Sequence, residues 1–107
     1  MTPGMSPSSS SERVFDPEGY RRIRDARALD ETGRAILRAL YVAREARARE
    51  LDRPPFKVLA EATMIDIARR RPRSEEELGH IPGVTPSVLR RLGKDILQAV
   101  LAVATAA

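Results

Sequence analysis

The sequence predicts an all-α protein: a compact bundle of about five short helices behind a disordered N-terminal leader. Three observations carry this. Past the leader, apolar residues recur at three- and four-residue spacing, the period of a helix with one buried face. β-branched and aromatic residues are few, and no apolar–polar alternation persists as a strand would require. Cap and breaker residues (Asp-Pro, Pro-Pro, Ser-Glu-Glu-Glu, Thr-Pro) divide the chain at intervals that suit short helices.

Each element has its own local cause. Residues 1–14 read as the leader: four consecutive serines, prolines and a glycine leave no apolar run to offset the entropy of ordering. Residues 15–29 form a short preceding helix and linker, with Asp16 as N-cap and Pro17 in the first helical position. Residues 30–105 are the helical domain proper. Its longest helix is expected over residues 30–51, burying Ile36, Leu37, Leu40, Tyr41, Ala48 and Leu51. Arg34, Arg38, Glu45 and Arg49 take its exposed side, and pairs such as Glu45 with Arg49 make the remaining arginines a solvated face. Pro54 and Pro55 end it, since proline lacks the amide donor. Phe56, Val58 and Leu59 then read as a connector pressed onto the core.

A second helix over residues 61–71 buries Met64, Ile65, Ile67 and Ala68, and Pro72 closes it. Ser74 and Glu77 form a capping box for a short third helix ending near Gly79. Thr85 and Pro86 begin a fourth, which Gly93 is expected to end. A last helix over residues 94–105 carries Ile96, Leu97, Val100, Leu101 and Ala104.

Composition narrows the function. There is no cysteine and one histidine, so thiolate and histidine-built metal sites are not expected. Neither a secretory signal nor an apolar run long enough for a bilayer occurs, and a cytoplasmic protein without membrane association is expected. Glu75, Glu76 and Glu77 read as acids favoured by a helix start, not as converging metal ligands. With no Gly-Lys phosphate loop and no nucleophile constellation, no enzyme activity and no cofactor are expected.

The net charge is +4, and every basic residue except Lys57 and Lys94 is arginine. Base composition of the genome explains such a bias; so does a need for planar contacts with phosphate. The excess lies in residues 54–73, which hold Lys57 and the run ARRRPR with Arg69, Arg70, Arg71 and Arg73. Cations at a helix C-terminus meet the dipole favourably, but four in five residues exceed what capping needs. A phosphate-facing patch with Lys57 and Arg53 nearby is the alternative. The second candidate is HIPGVTPSVLRRLGKDI, residues 80–96. Gly83, Val84 and Thr85 would form a helix-hairpin-helix-like turn offering free amides at a helix start, with Arg90, Arg91 and Lys94 close by. A turn that only orients two core helices is the competing reading.

The ordered pieces RAILRALYVAREARARELDRPPFKVL, IARRRPRS and LGHIPGVTPSVLRRLGKDIL resemble the HRDC domain, the helicase and ribonuclease D C-terminal domain, in its ribonuclease D form. The preamble RIRDARAL resembles the stretch preceding that domain, so the resemblance covers about residues 20–101. It implies a nucleic-acid-binding accessory domain that contacts phosphates of DNA or RNA, single-stranded or partly duplex. It also implies a nuclease or helicase as possible protein company. Ala43 and Leu92 stand where relatives tend to place rings, so a base-stacking role is not carried over. The acidic motifs of the ribonuclease D exonuclease do not occur in these residues. Two other readings are a protein–protein docking module and a detached remnant of a ribonuclease D-like enzyme.

Overall fold

A computed structural model describes residues 16–106; the leader expected over residues 1–14 lies outside them. Asp16 caps the first element as expected, its Oδ1 accepting from the Glu18 amide at 3.0 Å. That element, Pro17–Arg22, is a 3-10 helix, and a second 3-10 turn follows at Ala26–Ala28. The principal helices are α1 (Glu31–Leu51), α2 (Pro55–Val58), α3 (Glu61–Arg70), α4 (Glu75–Gly79) and α5 (Pro86–Ala106).

The caps act locally. Asp30 accepts from the Gly33 amide at 2.7 Å to start α1, and Asp52, in the left-handed conformation, ends it. The helix therefore stops three residues before Pro55, which is the first residue of α2 rather than a terminator. Phe56 departs from expectation: it is 65 % exposed, while Val58 and Leu59 behind it are buried. In this single turn of helix Phe56 falls on the solvent side and Val58 on the core side. Arg71 ends α3 at φ 52°. Ser74 Oγ accepts from Glu77 N at 3.1 Å, while the Glu77 carboxylate reaches past Ser74 to the Arg73 amide at 2.8 Å.

The larger correction concerns Gly93. The two helices expected to meet there are one continuous helix, α5. Glycine in a helix interior costs only about 0.5–1 kcal/mol relative to alanine. Leu92, Ile96 and Val100 bury one unbroken stripe at four-residue spacing, and each such side chain contributes about 1.5–3 kcal/mol. Tertiary packing overrides the local break.

α1 is the centre of the bundle, with α3 and α5 packed against it. Both run antiparallel to it. Arg47 of α1 pairs with Asp95 of α5 at 3.1 Å, and Arg53, just past α1, shares a cleft with the residues that open α5. At the other end the α3 cap Arg71 bonds Asp30, the α1 cap. Leu37, Leu40, Met64, Ile67, Leu78, Ile96 and Val100 form the fully buried centre. No helix among the described residues is long and apolar enough to cross a membrane.

Candidate nucleic-acid interface

The turn before α5 is built from the core outward. Ile81 and Val84 are buried, and Val84 N donates to Ile81 O at 3.0 Å to close the turn. Gly83 sits at φ 90°, where L side chains rarely go. Its missing side chain faces Thr63, whose Oγ1 would clash with any Cβ there. Thr63, itself buried, donates to Pro82 O at 3.4 Å. The close approach that Gly83 permits is thus to Thr63 of α3.

Thr85 caps α5 through two bonds: Oγ1 accepts from Val88 N at 3.2 Å and the carbonyl accepts from Leu89 N at 3.0 Å. The amides of Gly83, Thr85 and Ser87 have no acceptor among the described residues. Thr85 and Ser87 share a cleft of about 120 Å³ with Arg53, Lys57 and Arg91. Three cations from just past α1, from α2 and from α5 thus line one cleft with two hydroxyl residues at the start of a 21-residue helix. Arg91 also borders a second recess with Arg90 and Lys94, where the acids are Glu75 and Asp95. Asp95 is engaged by Arg47. Arg53, Lys57, Arg90, Arg91 and Lys94 are exposed and have no ion-pair partner among the described residues.

The arginine run is elsewhere. α3 touches the turn near Thr63 and carries its arginines at its far end, beside Asp30. Lys57 and Arg53, expected next to that run, belong instead with Thr85 and Arg91. Within the run, Arg71 is half-buried and tied to Asp30, whereas Arg69, Arg70 and Arg73 are exposed, without side-chain partners among the described residues. Two hydrogen bonds hold the Asp30 carboxyl below the ordinary range, first from the Gly33 amide and then from Arg71.

Arg44 escaped the sequence reading, which put it on the solvated face. It is 4 % exposed, and its guanidinium donates to Leu59 O and to Glu45, each at 3.2 Å, lying 5.4 Å from the Tyr41 ring centroid. Glu45 therefore pairs with Arg44, where Arg49 was expected. The signal was present: position 44 continues the stripe of Leu37, Leu40 and Ala48. Leu92 is core at 2 % exposure. His80 is exposed, and no group of three His, Cys, Asp or Glu among the described residues could hold a metal ion.

Comparison with known proteins places this geometry among relatives. The HRDC domain model matches residues 33–100. A ribonuclease D from Desulfotalea psychrophila is 30% identical over 86 residues, 80% of this chain and 23% of that protein. One from Sphingobium indicum is 35% identical over 83 residues, 69% of this chain and 21% of its own. The chain thus spans less than a quarter of the curated relatives it matches. In three dimensions it is similar to the catalytic core of RRP6 from Trypanosoma brucei, with a TM-score of 0.80 at 22% identity, over 89% of this chain and 27% of that one.

Proposed function

The chain belongs to the HRDC domain family, and on that premise we propose that it is a nucleic-acid-binding accessory domain whose primary contact is the cleft at the start of α5. One observation carries the reading: Arg53, Lys57 and Arg91 line one cleft with Thr85 and Ser87, whose amides have no acceptor among the described residues. A phosphate oxygen there accepts from the amides at the positive end of the helix dipole. The flanking guanidinium and ammonium groups neutralise its charge. Val84 and Gly83 hold the turn, and Arg90 and Lys94 meet the next phosphate along α5. That the relatives are ribonucleases favours RNA as the strand.

Affinity rests on few ionic contacts and falls with salt, by about 0.7 in log–log slope for each phosphate neutralised on a single strand. Phe56 adds a ring: it is 65 % exposed and adjoins Lys57, the pairing of aromatic and cation on which single-stranded bases stack.

The test is a titration of labelled single-stranded RNA and DNA at two salt concentrations against the parent chain and Lys57→Gln/Arg91→Gln. The double variant should bind about tenfold more weakly and with a flatter salt slope. Absence of binding by the parent at low salt, or equal binding by the variant, defeats the reading.

A further inference from the structure

Antiparallel packing gives the bundle two cationic ends. The cleft already described lies at the C-terminal end of α1. At the other end the Arg71–Asp30 bond fixes the C-terminus of α3 against the start of α1, leaving Arg69, Arg70 and Arg73 exposed around it. Arg34, one turn into α1, donates to Leu29 O at 2.6 Å and lines a recess of about 420 Å³ with Arg27. The carbonyl is neutral, so Arg34 keeps its charge. Of the acids at this end, Glu18 and Asp30 are engaged by Arg21, Arg38 and Arg71 and Glu77 accepts from the Arg73 amide, while Asp25 and Glu31 are exposed with no ion pair among the described residues. Five guanidinium groups therefore face outward at this end, beyond the demands of a helix C-terminus.

We propose that this end is a second phosphate-contacting surface, so that one single strand of nucleic acid is held at both ends of α1. The idea rests on the function proposed above. α1 has 21 residues, which at ~1.5 Å per residue separates the Thr85 cleft from the Arg71–Asp30 junction by about 30 Å. A stacked strand at roughly 3.4 Å per phosphate needs about nine nucleotides to reach both. A shorter strand occupies one end at a time.

The experiment compares oligoadenylates, which stack as single strands, of about 6 and about 18 nucleotides by calorimetry and by salt titration, on the parent and on Arg69→Gln/Arg70→Gln/Arg73→Gln. Glutamine avoids placing an acid at a helix C-terminus, and a cooperative thermal melt of the variant, lowered only slightly by the lost dipole contacts, shows that it is folded. The parent should take two short strands, or one long strand with a salt slope steeper by about 2, for three further phosphates at ~0.7 each. The variant should take one short strand and bind the long one about tenfold more weakly. A parent that takes only one short strand overturns the proposal. So does a variant that holds the long strand as the parent does, which would reassign the arginines to a protein partner. Lys57→Gln/Arg91→Gln separates the two failures. If it alone weakens binding, the hairpin cleft stands and the second surface falls; if neither variant has an effect, the nucleic-acid reading itself falls.

Discussion

Arg71 Nη2 donates to both carboxylate oxygens of Asp30, at 2.7 Å each, and so joins the end of α3 to the beginning of α1. The same carboxylate caps α1 through the Gly33 amide. These bonds favour the ionised form, and the Asp30 pKa is lowered in the folded chain. A group with a depressed folded pKa stabilises above its unfolded value, about 3.9, and that contribution is lost as pH falls through the folded value. Asp30→Asn keeps a good N-cap but removes the charge. Thermal melts between about pH 6 and pH 2.5 should show the parent losing stability more steeply than Asp30→Asn below about pH 4. Parallel curves would show that the pair contributes nothing through its charge.

Gly83 combines two constraints that substitution can separate. At φ 90° any side chain is strained, and at Thr63 it also collides. Gly83→Ala should lower stability by about 1–3 kcal/mol. Adding Thr63→Ala removes the collision but not the strain, so the double variant should recover only part of the loss. Full recovery in urea unfolding would assign the whole effect to packing.

The outcome at Gly93 shows which parts of the fold a sequence discloses. Caps at Asp16, Ser74 and Thr85, and the stripes of α1 and α3, are local matters of a few adjacent residues, and all were legible. Gly93 read as a break because the local signal favoured one; the stripe running on through Ile96 and Val100 decides otherwise. The site was legible in its parts but not in its assembly. Lys57 lies nearer in sequence to Arg69 than to Arg91, yet antiparallel packing joins it to Arg91 and Thr85. Arg44 was misplaced because charge suggested solvent, whereas its spacing put it on the buried stripe.

Gly93 also offers a simple stability test. A Cβ added there meets only Leu89 Cδ2, at 3.8 Å, so nothing requires glycine. Gly93→Ala should stabilise the chain by about 0.5–1 kcal/mol through the lost entropy of the unfolded state. A destabilised variant would mean that α5 needs flexibility at this point.

Phe56 and Lys57 adjoin on α2 but should act on binding in different ways. An exposed phenyl ring stacks on a base without releasing counterions; a lysine at a phosphate releases them. Phe56→Ala should weaken single-strand binding by about tenfold, within the ~1–3 kcal/mol of one base stack, and leave the salt slope unchanged. Phe56→Trp should restore it. Lys57→Gln should flatten the slope by about 0.7. Because Phe56 is 65 % exposed, neither change at position 56 should move the thermal midpoint. If Phe56→Ala alters the slope, the ring works by positioning Lys57; if it alters nothing, the ring takes no part in binding and the domain contacts backbone alone.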